Sequence, residues 1–459
     1  MQGAKKHPFR AVRTALKRVP RWLSLVLCVL AFAVGLHVLS YLHLLNIVGL
    51  DDWCERQTLK AMDYSMGAAI SDDLSLIYVD ETEPSKEETD HDRQRRRADH
   101  ARFLNALGSA PKLVAFDLTF APPDEDAEIK SADASFGNAV RTAKTRVIVG
   151  AVPDGSGAVQ LSDSLGQTEW GLTAVGGLRV EYGQPKGFVR RYILAQSQFP
   201  PGTASGPQPA TPSLAVKMLM SMLSGNSTGP THATLDTDKK ELVLLSGSAE
   251  LKRISCDIEI QAPPGHGVMA TIPFRFPRNL SFNDDQDYSQ VLQHLPQVSH
   301  LYQGKVVVIG VRNNKDAKPS GEGERVALAP EDEKREPAYG YQVHASVFSD
   351  LLNNTYPRRL GAFWRFFILM MSGFLASLGW KIGLPKLEWE IDPPIVGKMK
   401  VPLGLLALWT LYFIFVWVLF RWFYLVFDIA YALLAIWILY YLGRLILDGP
   451  GPTHETGAQ

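Results

Sequence analysis

Apolar runs that are nearly free of charge lie near both ends of the 459-residue chain, while most acidic residues fall between them. From Trp22 to Leu45 no residue is charged. Three further apolar stretches follow toward the C-terminus, at 366–384, 401–420 and 423–442. A helix of roughly 20 apolar residues crosses a bilayer core of about 30 Å. The pattern predicts an integral membrane protein with one large domain between its first and second membrane helices.

The charge around these runs predicts their orientation. Residues 1–21 carry basic side chains and no acidic one, which favours a cytoplasmic N-terminus. A secretory signal peptide is the alternative, but the run is longer than a typical signal and no small-residue cleavage site follows it. The predicted segments are a basic cytoplasmic N-terminus at 1–21, transmembrane helices at 22–45, 362–384, 401–420 and 423–443, an extracytoplasmic domain at 46–361, a cytoplasmic loop at 385–400 and a cytoplasmic tail at 444–459.

Overall charge bears on the class of partner. The chain has 47 acidic and 47 basic residues, for a net charge of zero. A dedicated nucleic-acid binder normally has a basic surplus, so no nucleic-acid partner is expected. The lipid bilayer is the first partner that the sequence implies.

The central domain alternates between strand and helix patterns. Short apolar strands are predicted at 75–80, 112–120 and 146–150, with amphipathic helices at 98–109 and from 127 to 143. The predicted fold class is an α/β domain, a mixed sheet covered by helices, joined to an α-helical membrane unit of four transmembrane helices. Further strands are predicted at 187–194, 241–245, 252–261, 270–276 and 305–311, helices at 212–224 and 341–353, and loops at 197–212 and 315–337.

Two carboxylates follow predicted strands of this domain. Asp80 and Asp117 lie at or near the carboxyl ends of their strands, where open α/β sheets place ligand sites. They could contact a ligand, or each could cap the following helix or turn. His91 and His100 lie beside acidic residues, but a solvated helix face explains them better than a metal site.

Motifs of catalysis and cofactor binding are absent from the sequence. Gly265 to Ala270 matches a dinucleotide-binding pattern, but an extended, Pro-containing segment follows where a helix is needed. No phosphate-binding loop, zinc-protease motif or nucleophile elbow occurs. We therefore expect no enzyme activity, no cofactor and no metal.

Three cysteines occur, and Cys28 lies within the first predicted membrane helix. Cys54 and Cys256 would both face an oxidising compartment. A Cys54–Cys256 disulfide and two free thiols are equally consistent with the sequence, because the required Cα separation cannot be read from it.

Several short blocks in order resemble the CHASE sensor domain of type two. The blocks cover about residues 50–355, and one preceding and three following apolar helices match the usual arrangement of that family. They are Leu76-Ile-Tyr-Val-Asp80, Val114-Ala-Phe-Asp-Leu-Thr-Phe120, Gly187-Phe-Val-Arg-Arg191, Thr211-Pro-Ser-Leu-Ala215, Gly304-Lys-Val-Val-Val-Ile-Gly310 and Gly340-Tyr-Gln-Val-His-Ala345.

The resemblance implies an extracytoplasmic sensory domain of a bacterial receptor in the inner membrane. It adds Arg190, Arg191 and His344 to the candidate ligand residues. Either arginine could instead form an ion pair with Asp80 or Asp117, and His344 could be a buried structural residue. The charged insert 315–337 departs from the short loop that the family usually has.

An enzymatic output domain usually follows the last helix in that family, whereas residues 445–459 are too few to fold one. Our first hypothesis is therefore a non-enzymatic sensor subunit that signals to a separate partner protein. The loop 385–400, with Trp389 as anchor, is a candidate docking site, and a plain membrane-surface loop is its alternative. The second hypothesis is a structural subunit of an envelope complex, and both are compatible with homo-oligomers.

Overall fold

A computed structural model describes residues 21–41, 71–80, 94–152, 159–166, 168–173, 191–197, 206–225, 230–260, 267–273, 286–312, 339–379, 388–391, 399–426 and 429–447. The chain divides into two compact units. One is Met66–Arg358, and the other combines Met1–Ser65 with Arg359–Gln459.

Both units contain helices and strands, numbered in chain order. Helices are α1 Arg21–Tyr41, α2 Arg97–Leu107, α3 Ala127–Thr142, α4 Leu214–Ser224, α5 Tyr288–Val298, α6 Gly340–Asn353, α7 Ala362–Gly379, α8 Leu403–Phe423 and α9 Ile429–Leu447. Strands are β1 Leu74–Asp80, β2 Leu113–Thr119, β3 Arg146–Ala151, β4 Glu169–Leu172, β5 Arg191–Ser197, β6 Gln208–Pro212, β7 Thr231–Asp236, β8 Glu241–Ser246, β9 Ala249–Ser255, β10 Asp257–Ile260, β11 Val268–Pro273, β12 Gln286–Asp287, β13 Val306–Arg312, β14 Arg358–Arg359, β15 Glu388–Ile391, β16 Met399–Pro402 and β17 Leu425–Val426.

A six-stranded parallel sheet is the first layer of the Met66–Arg358 unit. Its strand order is β12-β1-β13-β2-β3-β4, and every pair is parallel. Parallel strands covered on both faces read as continuous apolar runs, which is why β1, β2, β3 and β13 are recognisable in the sequence. β13, which comes late in the chain, lies between β1 and β2.

Side chains alternate between the two faces of this sheet. On one face, Ile77, Phe116 and Ile309 pack with residues of α2, α3 and α5 in one apolar core. On the other face, Leu76 and Val308 pack with α4, α6 and the second sheet in another core. The face that carries α6 is called the α6 face below.

The second sheet is antiparallel and has seven strands in the order β10-β11-β5-β6-β7-β8-β9. Its apolar side, including Tyr192 and Leu194 of β5, packs in the core shared with α4 and α6. The mixed α/β class is thus confirmed, with the parallel and antiparallel strands divided between two sheets.

Local sequence signals account for most helix starts in this unit. Asp126 accepts hydrogen bonds from two backbone N–H groups at the start of α3, Ser213 accepts one at the start of α4, and Asp287 does so for α5. Such side chains satisfy N–H groups that lack helical partners. The predicted helices at 98–109, 127–143, 212–224 and 341–353 agree closely with α2, α3, α4 and α6.

Other predictions of secondary structure need correction. The stretch 197–212 is predicted to be a loop, but its end forms β6. The two prolines of β6 are tolerated because this strand pairs with β5 and β7 over only a few residues. The predicted strand 252–261 is two strands, β9 and β10. Helix α5 and strand β7 were not predicted. The predicted loop 315–337 lies outside the described residues.

The other unit consists mainly of apolar helices. Among the described residues, Leu403–Phe423 is the one helix that is long and apolar enough to cross a membrane. Shorter apolar stretches occur at Val26–Gly35, Phe363–Ser377 and Ala432–Leu442. Residue 423 ends α8, and α9 begins only at Ile429. The segment 385–400, predicted as a loop, contributes to an antiparallel pair of β15 with β16.

Candidate functional site

The carboxyl ends of β1, β13 and β2 form one edge of the parallel sheet. The registers place Tyr78, Gly310 and Asp117 on one rung of neighbouring residues. Two residues further along, Asp80 and Arg312 form the last rung. The rung of Tyr78, Gly310 and Asp117 is called the inner rung, and that of Asp80 and Arg312 the outer rung. Because side chains alternate along a strand and Leu76 and Val308 belong to the α6 face, both rungs also belong to that face. Asp80 and Asp117 therefore share an edge, although β13 separates their strands.

His344, on α6, is fully buried beneath this edge. Its Nε2 lies 3.0 Å from the Thr173 carbonyl oxygen and 3.5 Å from Oδ1 of Asp117. Its Nδ1 lies 2.6 Å from the Tyr192 hydroxyl. One imidazole therefore links α6 to the end of β2, to the residue after β4 and to β5 of the second sheet.

The partners of His344 determine which ring nitrogen carries hydrogen. A carbonyl oxygen can only accept, so Nε2 donates to Thr173. In the neutral ring Nδ1 then accepts from the Tyr192 hydroxyl. Burial is the largest influence on Tyr192 and raises its pKa well above the ordinary value. The phenol consequently keeps the proton that it donates.

Tyr192 is itself held by the start of α4. Ser213 and the backbone of Ala215 form hydrogen bonds with the Tyr192 hydroxyl, and Ser213 also caps α4. The chain Ser213–Tyr192–His344 thus runs from one helix start to the next through the buried core. A hydrogen-bonded network of this kind holds the packing in one arrangement.

The outer rung carries a cation that the sequence analysis did not single out. The Arg312 guanidinium carbon lies 4.9 Å from the centre of the Tyr78 ring and 5.7 Å from that of Tyr339. Tyr339 also accepts a hydrogen bond from Arg312, and its ring stacks on Tyr341. The strand alternation that placed Asp80 and Asp117 could have found Arg312, had the strand been extended one residue beyond 311.

Gly310 allows α6 to approach the edge closely. A Cβ atom at this position would collide with the Tyr341 side chain. Glycine in a strand often marks such an approach. Tyr341 therefore covers the inner rung at Gly310. The outer rung of Asp80 and Arg312 lies at the end of the paired strands.

The other predicted ligand residues are only partly described. Asp80 is exposed and Asp117 largely buried. Arg191 begins β5, its side chain is outside the described part, and Arg190 lies outside the described residues altogether. An ion pair of either arginine with Asp80 or Asp117 stays a prediction.

A second polar group is buried on the opposite face of the sheet. His100 of α2 is 3% exposed, and its Nδ1 lies 2.8 Å from the Tyr288 hydroxyl. Phe116, Phe120 and Phe136 surround the ring. The predicted solvated helix face is therefore wrong for His100, because the apolar side of α2 carries it into the core. His91 lies outside the described residues.

Arg97, one turn before His100, forms a buried ion pair with Asp133 of α3. Ser162 donates to the same carboxylate, and Arg97 also donates to the Ala121 carbonyl oxygen at 2.7 Å. This network joins α2, α3 and the segment after β2. Its partners satisfy one another, which suits a structural role.

The remaining predicted residues are a cysteine pair and a tryptophan. Cys256 is buried and forms no disulfide in this structure, and burial raises the pKa of its thiol to about 12. Cys54 lies outside the described residues, so the Cys54–Cys256 bridge stays a prediction. Trp389 is opposite Val401 in the β15–β16 pair.

Within the described residues no group of three His, Cys, Asp or Glu could hold a metal ion.

The fold and the edge define a two-sheet α/β domain with a polar site at the ends of parallel strands. A family model described as the CHASE2 domain matches residues 25–380. The chain belongs to this family, and the CHASE2 domain is an extracytoplasmic sensor domain. The resemblance found in the short sequence blocks is thereby confirmed. No curated protein and no solved structure matches the chain.

Proposed function

We propose that the protein is a non-enzymatic membrane sensor subunit, which detects a stimulus at the carboxyl edge of its parallel sheet and signals to a separate partner. The buried contact of His344 with the end of β2 carries this proposal. His344 belongs to α6, the last helix of the domain, and only the segment 354–361 separates α6 from apolar α7. A change at the edge therefore acts on the element that leads into the membrane unit.

The contacts of His344 on α6 provide a physical route for this coupling. His344 contacts Asp117, Thr173 and Tyr192, so a shift of any of these strand ends alters the surroundings of one ring. Coupling between two sites typically amounts to about 1–3 kcal/mol. Loss or rearrangement of one or two buried hydrogen bonds has that magnitude, at roughly 1 kcal/mol each.

The proposed membrane unit has four crossings, formed by α1, α7, α8 and α9. Helix α8 has the length and hydropathy for a crossing, and shorter apolar stretches occur within the other three. Basic residues at 1–21, in the segment 385–400 and at Arg444 favour the cytoplasmic side for all three regions. The sensor domain is then on the far side of a bacterial inner membrane.

The partner is proposed to dock on the segment 385–400. Its ends form the pair of β15 with β16, where Trp389 is opposite Val401 and Glu390 is opposite Lys400. A paired segment between two membrane helices offers a more defined surface than an irregular loop. A tryptophan there is a residue type that often anchors protein interfaces.

Co-purification of the full chain in a mild detergent, followed by mass spectrometry, tests this proposal. The expected result is a substoichiometric kinase, cyclase or regulator that is lost in Trp389→Ala. The control is Trp422→Ala, because Trp422 is an exposed tryptophan at the other end of α8. A stoichiometric set of envelope proteins, retained in both variants, would instead support a structural subunit and contradict signalling through this segment.

A further inference from the structure

The outer rung of the sheet edge places opposite charges on neighbouring strands. Asp80 and Arg312 are register partners, and neighbouring strands are about 4.8 Å apart. Both residues belong to the α6 face, where Tyr78 and Gly310 precede them by two positions. Asp80 is exposed and Arg312 half-buried, so both charges are within reach of a molecule from solvent.

The Arg312 guanidinium is placed by its aromatic contacts. Its guanidinium lies within 6 Å of two tyrosine ring centres, the range of cation–π attraction, and it donates to Tyr339. Within the described part of the chain, no carboxylate forms an ion pair with Arg312. A guanidinium has five N–H donors in its plane, so donors remain after those contacts.

The charge of Arg312 is permanent under physiological conditions. Partial burial alone would lower its pKa, but the hydrogen bond with Tyr339 and the three neighbouring tyrosines raise that pKa above the ordinary value. A planar, charged guanidinium binds a carboxylate through two parallel hydrogen bonds. A ligand carboxylate therefore fits Arg312, and a phosphate, which carries more negative charge, would be repelled more strongly by the neighbouring Asp80.

The second group of the ligand follows from Asp80. A carboxylate accepts hydrogen bonds from an ammonium group, and the spacing of one strand from Asp80 to Arg312 suits an ammonium group and a carboxylate attached to the same carbon atom. A plain carboxylate would satisfy Arg312 and bring a second negative charge close to Asp80. A plain amine would satisfy Asp80 and repel Arg312.

We propose that Asp80 and Arg312 bind a free amino acid, with its ammonium group at Asp80 and its carboxylate at Arg312. This inference rests on the proposed function and names the ligand class of the same edge. Tyr341, which packs over Gly310, bounds the site on its inner side. Binding there would contact Tyr339, the residue that caps the start of α6, and hence the helix that carries His344.

Thermal unfolding of the full chain in mild detergent, followed by tryptophan fluorescence, tests the ligand class. The probes are the common amino acids other than tryptophan, each added singly in its L form where it is chiral, and acetate and methylammonium. At least one amino acid is expected to raise the unfolding midpoint, while acetate and methylammonium at the same concentration leave it unchanged. Titration calorimetry then measures the affinity for the amino acid with the largest effect.

Two variants locate the binding. Arg312→Gln and Asp80→Asn are each expected to weaken that affinity by about tenfold or more, as loss of a charged hydrogen-bond partner does. The matched controls are Arg102→Gln and Asp99→Asn, which remove an exposed ion pair on α2 and leave the affinity unchanged. Asp80 is exposed, so its variant tests the site even if Arg312→Gln does not fold.

Three outcomes would overturn the inference: no amino acid shifts the midpoint, acetate shifts it equally, or both site variants bind as tightly as the original chain. Each of these concerns ligand binding alone. The partner captured through the segment 385–400 is measured independently, so failure of the ligand class is distinguishable from failure of the proposed sensor function.

Discussion

Nε2 of His344 lies 3.5 Å from Oδ1 of Asp117, so the last helix of the domain contacts the end of a central strand through a fully buried ring. The same ring accepts a hydrogen bond from Tyr192 of the second sheet. Because α6 begins beside the tyrosines that hold Arg312, the outer rung and the buried network share one helix. We expect a ligand bound at the outer rung to affect the packing around His344.

Removal of the Tyr192 hydroxyl is expected to weaken the domain. Tyr192→Phe leaves the buried Nδ1 of His344 without its donor, and an unsatisfied buried group costs about 1–3 kcal/mol. The measurement is the free energy of unfolding of the full chain in detergent, combined with His344→Asn in a double-mutant cycle. The two changes should be strongly non-additive. Additive effects would show that the two side chains are not coupled, and the exposed His294→Asn is the control.

The ion pair of Arg97 with Asp133 should be far more sensitive than an exposed pair. Asp133→Asn leaves a buried guanidinium without its counter-charge, which costs about 3–5 kcal/mol. Asp99→Asn, which breaks the exposed pair with Arg102, should cost less than about 1 kcal/mol. Circular dichroism during thermal unfolding compares the two variants. Similar midpoints for both would contradict a buried structural pair.

Protonation of His100 should destabilise the fold in acid. Burial, followed by the nearby charges of Arg96 and Arg97, lowers its pKa from 6.5 to about 3. The unfolded chain therefore binds a proton between these pH values that the folded chain does not. The contribution of His100 to the free energy of unfolding is fully present above pH 6.5. This contribution declines as the pH falls toward 3, by at most about 1.4 kcal/mol per pH unit.

The variant that checks this pH dependence is His100→Gln, which cannot titrate in this range. The free energy of unfolding is measured from neutral pH down to the acid limit of reversible unfolding. Its decline should be shallower than in the original chain, whereas His294→Gln, which changes an exposed histidine, should leave it unaltered. Equal slopes for the original chain and His100→Gln would rule out a buried neutral imidazole.

Local patterns predicted the strands and helices that have a continuous apolar run or a capped start. β1 and β3 are continuous apolar runs, and α3 has an acidic N-cap at Asp126, so short windows of sequence suffice for them. Helix α5 escaped prediction because Pro296 and several polar residues interrupt its apolar pattern. β6 carries two prolines and resembles a loop for the same reason.

The candidate site was predictable only as separate strand ends. Asp80 and Asp117 were found because each lies at or near the end of an apolar run. The position of Arg312 beside Asp80 became visible only when β13 was placed between β1 and β2, since that register joins segments far apart in the chain. The same limit applies to His100, because the aromatic residues that enclose it come from four separate elements or segments.

The number of membrane crossings is open to a direct test, because α8 lies between the segment 385–400 and the tail 444–459. If α8 and α9 both cross, these two regions are on the same side. If α8 crosses alone, they are on opposite sides. We expect residues 1–21, the segment 385–400 and the tail all to be cytoplasmic, since each carries basic residues.

Reporter fusions to the full chain at these three regions and at an exposed position of the sensor domain measure the sidedness. A reporter that is active only in the cytoplasm should respond at 1–21, 385–400 and 444–459 and be silent in the domain. A variant in which Lys386, Lys398 and Lys400 are all replaced by glutamine tests whether these charges determine the sidedness. Their removal should weaken retention of the segment 385–400 on the cytoplasmic side. Opposite sides for this segment and the tail would contradict the four-crossing arrangement. The docking site proposed around Trp389 would be contradicted if the segment 385–400 itself faced away from the cytoplasm, because a cytoplasmic partner could then not reach it.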